Sequence, residues 1–411
     1  MLKFPEFGRD ARVNTVLGAG HFLSHFYQLC LPPLFLVWQH SFGVSFAELG
    51  LAMTVMSGAA ALLQTPVGFL VDRYGARSFL IGGALLMALS IAAMGLATSF
   101  WQVVGLALLS GAGNSVFHPA DYSILSGTIA PERIGRSFSF HTFCGYVGFA
   151  AAPPVTAGLM LLFGWRSALM LVGLVGVPVV LLIMWQGRLM VASRPQRDHR
   201  AATLGSGADR RSGMGLLLSR PILCFFGFYM VAAMATAGIQ SWLITVLHQV
   251  HGLPLAAAAA ALTGYMIGNL GGVLFGGWVA DRTRHLLAAT VLLIGVGSAL
   301  LLWVGIVTMA ELPTMGVLLV AGCVVGTSRT PRDIMVKQAT TPGEVGKVFG
   351  FVSAGLSLGS ALMPVPYGML IDAGRPDLVL VVVGLLLLAS ALFVIGARLG
   401  IVREPVAVAA E

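Results

Sequence analysis

The chain has 411 residues, 57% of them hydrophobic and only 10% charged, with a net charge of +8. About a quarter of the residues of a soluble domain are charged, so this composition excludes a water-solvated surface and makes lipid the main solvent. The apolar runs are continuous and rich in Ala, Leu and Gly, which excludes the alternating pattern of a membrane β-barrel and predicts helices of about 20 residues that cross the bilayer core.

The first residues, MLKFPEFGRDAR, are polar and lack an apolar core followed by a small-residue cleavage site. No removable signal peptide is expected there. Twelve spans are predicted, at 13–38, 46–71, 78–98, 101–128, 137–163, 166–187, 220–248, 254–280, 286–308, 313–338, 347–372 and 377–400. One long polar segment rich in Arg, Ser, Gly and Asp separates the sixth from the seventh. The expected organisation is a six-helix bundle at 1–187, a cytoplasmic loop at 188–219 and a second six-helix bundle at 220–411. The fold class is an all-α polytopic membrane protein. With the amino terminus inside, all of the 24 lysines and arginines except Arg166 and Arg375 fall on the cytoplasmic side. That bias places both termini in the cytoplasm and points to the inner (plasma) membrane. It also accounts for the basic charge through topology and lipid headgroups, without a nucleic-acid partner.

In the first span His21, His25 and Gln28 share one helix face. Ionisable groups inside spans are costly and mark transport pathways. At the end of the second span stands Gly68-Phe-Leu-Val-Asp72-Arg73-Tyr-Gly75-Ala-Arg77, and at the end of the eighth Gly277-Trp-Val-Ala-Asp281-Arg282. The longer copy resembles the loop 2–3 signature of the major facilitator superfamily, with Ala76 where that pattern often has a basic residue. The resemblance implies twelve helices in two pseudo-symmetric halves that rock by alternating access. It further implies a cytoplasmic gate made by Gly68, Asp72, Arg73, Gly75 and Arg77 together with Gly277, Asp281 and Arg282. Physically, glycine lets helices approach, and an aspartate at a helix end accepts from exposed amides or pairs with arginine.

The fourth span reads GAGNSVFHPADYS. Gly111, Gly113, Ser115, Val116, Phe117, His118 and Pro119 resemble the fosmidomycin-resistance branch of that superfamily, as do Leu23-Ser24-His25 and Leu31-Pro32-Pro33-Leu34 in the first span. This resemblance implies efflux of a drug or antimetabolite. From the residues alone, Pro119 removes a backbone donor and loosens the helix beside His118. Asp121 and Tyr122 follow within a turn, Asn114 precedes them, and His141 lies in the fifth span. The stretch is duplicated. Pro331, Asp333, Pro342, Gly346, Phe349, Gly359 and Pro364 repeat the order of Pro119, Asp121, Pro131, Gly135, Phe138, Gly148 and Pro153, with Glu344 in place of Arg133.

In the tenth span Arg329, Arg332 and Lys337 surround Asp333. A guanidinium there could hold an anion with two parallel hydrogen bonds, or the group could form gate ion pairs. Tyr229, Gln240, Tyr265 and Asn269 are further candidate lining residues. Deep carboxylates are scarce while histidine and arginine are present, which favours an anionic or neutral polar solute, and histidine could couple transport to protons. Cys30, Cys144, Cys224 and Cys323 are scattered without a CxxC pair, and read as small buried residues. Met230 and Met234 share a face and could suit Cu(I), but no accompanying His or Cys motif supports a metal site. P-loop and HExxH patterns are missing, so neither an enzyme nor an ATP-driven pump is expected, and no cofactor.

The sequence therefore reads as a monomeric, proton-coupled secondary transporter of a small organic anion, with solute, protons and the bilayer as its partners. Efflux is favoured over the alternative, uptake of a carboxylate-type anion by proton symport. Copper or other metal transport and a non-transporting membrane sensor are remoter alternatives.

Overall fold

The computed structural model describes residues 6–187, 214–340 and 345–402. Lys3, Arg403, residues 188–213, Pro342 and Glu344 lie outside the described residues, as do the side chains of Asp72 and Lys347. All described elements are helical. They are α1 (Glu6–Leu29), a 3-10 turn (Pro32–Leu34), α2 (Phe35–Phe42), α3 (Phe46–Tyr74), α4 (Ala76–Met94), α5 (Phe100–Asn114), α6 (Phe117–Thr128), α7 (Pro131–Leu174), α8 (Gly176–Gln186), α9 (Met214–Leu217), α10 (Arg220–His251), α11 (Leu255–Arg282), α12 (Leu286–Ile306), α13 (Glu311–Thr327), α14 (Arg329–Gln338), α15 (Val345–Leu362), α16 (Pro364–Asp372) and α17 (Asp377–Val402). They fall into two compact units, α1 to α8 and α9 to α17.

Ten stretches among the described residues are long and apolar enough to cross a membrane. One of them, Arg133–Gln186, has 54 residues. At 1.5 Å per residue it is about 80 Å long, enough for two crossings, and it holds the expected fifth and sixth spans. Gly164 divides it, with φ +76 and ψ 161, a conformation that a side chain disfavours. The expected first span is interrupted after Leu29 and continues through the 3-10 turn into α2. The expected loop at 188–219 includes a helical turn, α9, whose Leu216 is buried; four consecutive apolar or helix-permitting residues suffice for that turn.

Several helices are interrupted, and the interruptions share a cause. α6 opens two residues before Pro119, α8 two before Pro178, α14 two before Pro331, and α16 on Pro364. Proline has no N–H and collides with the carbonyl four residues earlier, so it belongs in a first turn, where donors are unpaired anyway. The fourth and tenth spans therefore break at Ser115–Val116 and at Ser328. Both serines return a donor: Ser115 Oγ donates to Ala112 O and Ser328 Oγ to Val325 O, each at 2.7 Å.

Glycines set the packing inside each unit. A Cβ on Gly111 would strike the Met56 carbonyl and one on Gly148 the Phe22 carbonyl, so α5 lies against α3 and α7 against α1. In the second unit Gly322 meets the Tyr265 carbonyl and Gly359 the Met230 carbonyl, placing α13 on α11 and α15 on α10. Backbone-to-backbone approach of this kind is how helices associate where lipid removes the hydrophobic drive.

Candidate functional site

In the first unit three helices bring the predicted ionisable residues together. α1 supplies His21 and His25, α6 supplies His118, Asp121 and Tyr122, and α7 supplies His141. Asp121 is fully buried, and His21 and His141 are nearly so. His141 Nε2 lies 2.8 Å from Asp121 Oδ2, and His21 Nδ1 lies 3.9 Å from the same oxygen. The His21 and His141 rings are stacked with centroids 3.7 Å apart. His25 and His118 flank His21 at 4.3 and 5.3 Å. Tyr122 closes the group, 5.8 Å from the His118 ring and 5.9 Å from His141.

The cluster is not fully satisfied. Asp121 Oδ1 and the Nδ1 atoms of His21, His25 and His118 are buried without a hydrogen-bond partner. Leaving such atoms unpaired away from water is costly, which makes the cluster a candidate site. Two residues that the sequence reading passed over shape it. Phe149 covers His25, with ring centroids 4.2 Å apart. Gly145 makes the room, since a Cβ there would lie 2.6 Å from His21 Cδ2 and 3.1 Å from His25 Cε1.

The second unit gathers Tyr229, Arg332 and Asp333. Asp333 Oδ1 accepts from the Tyr229 hydroxyl at 2.5 Å, from Arg332 Nε at 2.8 Å and from the Arg332 terminal nitrogen at 2.7 Å. The guanidinium also lies 4.2 Å over the Tyr229 ring and 5.4 Å over Phe228. Arg332 pairs with Asp333; Arg329 opens the same helix and Lys337 lies in its last turn.

The glycine contacts reveal a register between the two clusters. Gly148 rests on the carbonyl of Phe22 and Gly359 on that of Met230. The residues just before these, His21 and Tyr229, are therefore equivalent, as Asp121 and Asp333 are by their prolines. Each unit carries the same aspartate facing the same α1-type or α10-type position. Imidazoles surround the first; a phenol and a guanidinium hold the second.

The remaining predicted residues lie apart from these groups. Gln28 and Gln240 are half-buried on α1 and α10. Asn114 donates to Ser24 O at 3.3 Å, a helix-to-helix tie. Tyr265 is buried in α11, and Asn269 is buried with neither amide atom paired. At the expected gate, Gly75 joins α3 to α4 at φ +95, Gly68 sits 3.8 Å (by its would-be Cβ) from Pro119 of α6, and Arg77 donates to Met184 O at 3.0 Å near the end of α8. Arg73 lies over the Tyr74 ring and Arg282 over Trp278. Asp281 ends α11 beside Arg282, four residues after Gly277. The sequence reading treated Arg133 only as a topology residue, yet it holds Asp10 of α1 at 2.6 Å.

Comparison with known proteins agrees with this architecture. The Fosmidomycin resistance protein of Escherichia coli (strain K12) is 25% identical over 371 residues, covering 89% of this chain and 88% of the relative. The Probable L-galactonate transporter of the same strain is 30% identical over 135 residues, which cover 33% of this chain and only 30% of the relative. Among solved structures, a bacterial homolog of the human lysosomal transporter Spinster, in an inward-facing and occupied conformation, superposes with a TM-score of 0.74 over 95% of this chain and 96% of its own, at 16% identity. The family model described as Major Facilitator Superfamily matches residues 17–331 and 254–410. With its duplicated glycine-packed helices and its apolar spans, this chain belongs to the Major Facilitator Superfamily, multi-pass membrane proteins that move small solutes across the bilayer.

Proposed function

We propose that the chain is a proton-coupled secondary transporter of a small organic anion, working by alternating access in the plasma membrane with both termini in the cytoplasm. The observation that carries this reading is the burial of Asp121 against His141 at 2.8 Å, with His21, His25 and His118 around it. Gain or loss of one proton changes the net charge of a water-excluded pocket by a full unit. In a low dielectric that change is strong enough to bias helix positions. The Tyr229–Arg332–Asp333 group supplies the cation for an anionic solute. Arg332 is held by stacking as well as by charge, so it keeps its orientation when a solute carboxylate takes the place of Asp333.

Efflux is favoured over uptake, because the relative named for resistance matches along nearly the whole chain; the Probable L-galactonate transporter, named for an organic anion, matches over a third of it. The test is reconstitution into liposomes with an imposed pH gradient and a panel of carboxylates, phosphonates and drugs. Solute movement against the proton flux identifies an antiporter, and movement with it a symporter. Flux that ignores the pH gradient, or that survives Asp121→Asn unchanged, would overturn proton coupling at this cluster.

A further inference from the structure

We propose that His21, Asp121 and His141 form a binding site for a borderline divalent transition ion, with Zn2+ as the probe. The inference concerns the pocket just described but stands on donor geometry and not on the transport reading. Each residue offers one ligand atom, and the three atoms all lie within 4.8 Å of one another. In a tetrahedral zinc site, with ligands at about 2.0–2.1 Å, neighbouring donor atoms are about 3.4 Å apart. The two separations to Asp121 Oδ2, 2.8 and 3.9 Å, straddle that spacing. Bringing the donors onto one ion requires the stacked His21 and His141 rings to turn so that both in-plane lone pairs meet it.

Two features point to a ligand beyond mere proximity. His21 Nδ1 and Asp121 Oδ1 are buried with no partner, on residues that are 3% and 0% exposed. A cation satisfies an imidazole lone pair and a carboxylate together, which no single hydrogen-bond donor in the pocket does. His25 and His118 flank His21 and also keep unpaired Nδ1 atoms. Two or three imidazole nitrogens with one carboxylate oxygen suit Zn2+, Co2+ or Ni2+. Calcium and magnesium prefer all-oxygen shells, and Cu(I) prefers sulfur, which this donor set lacks. The donors come from α1, α6 and α7, so one ion would tie three helices of the first unit together. Their separation along the chain hides the site from any reading of spacing.

The experiment uses full-length protein purified through a tag without histidine, stripped with chelator and placed in nanodiscs. Co2+ is titrated while its visible d–d absorption is followed, and Zn2+ is then added in competition. The expected result is one Co2+ per chain with tetrahedral bands that Zn2+ bleaches. Changing His141 to Ala or Asp121 to Asn lowers Zn2+ affinity by more than the about 10–100-fold that loss of an outer-shell partner costs. Changing His285 to Ala, at the exposed start of α12, leaves affinity unchanged. Zn2+ raises the unfolding temperature of the parent protein by mass action and does not raise that of the near-isosteric Asp121→Asn protein, which separates a lost site from a lost fold. Failure to bind Co2+ stoichiometrically, or binding that survives both changes, overturns the site. Flux in chelator-treated liposomes is independent of this outcome. Persistent flux without a Co2+ spectrum removes only the metal site, and a spectrum without flux removes only the transport reading.

Discussion

Asp121 is a fully buried carboxylate with an imidazole at 2.8 Å. Asp121→Asn keeps the shape and removes the exchangeable charge. Its expected effect is loss of pH-gradient-driven flux with the protein still folded, read as solute accumulation in liposomes alongside an unchanged elution profile. His141→Ala should behave differently. It strands a buried acceptor, which costs about 1–3 kcal/mol or more for a charged group, so a lower unfolding temperature is expected together with lost flux. Gly145→Ala tests the room around His21 and His25. A Cβ 2.6 Å from His21 Cδ2 forces the rings to move, at about 1–3 kcal/mol for an overpacked site, and flux should fall although no ionisable group has changed. In the second unit, Arg332→Lys keeps the charge but loses the planar fork and the stacking on Tyr229. Solute affinity should drop nearly as far with Lys as with Ala, as measured by counterflow at varied solute concentration.

At the scale of helices, glycine decides which faces meet. Gly322→Leu would drive a side chain into the Tyr265 carbonyl, and a backbone atom cannot rotate away. A drop in unfolding temperature is expected, larger than for Leu at Gly316, which has open space around it. This level was the most readable from the sequence. Apolar runs located the spans, and Pro119 announced the interruption in the fourth. The boundary expected between the fifth and sixth spans, 137–163 and 166–187, falls at Gly164, whose non-helical φ +76 and ψ 161 divide the stretch Arg133–Gln186. The site was readable in part. His21 and His25 declare themselves by a spacing of four on one helix. The pairing of Asp121 with His141 does not, since a helix end and a turn lie between them. Gly145 was invisible because its role depends on what faces it. The match of His21 with Tyr229 was hidden because the residue types differ.

For the whole molecule, the duplicated plan was legible through Gly68 with Gly277, Asp72 with Asp281, and Asp121 with Asp333. Its chemistry has diverged: one copy of the aspartate is surrounded by imidazoles, which exist in neutral and charged forms, and the other by a guanidinium that stays charged. The bias of Lys and Arg toward one side predicts where the chain ends. A fluorescent protein fused after Glu411 should glow, as expected for a cytoplasmic terminus, and an alkaline phosphatase fused there should stay inactive; the opposite pattern would invert the proposed topology.

The serine-capped interruption before Pro119 has a mechanical corollary. Because the donor lost at the break is already replaced by Ser115 Oγ, α6 is a short lever whose pivot is stitched in advance, and tilting it ruptures no further rung of the ladder. Spin labels on α6 and α5 should accordingly report a changing angle within a single span as the cycle turns over, where an unbroken rod would carry both probes along in step.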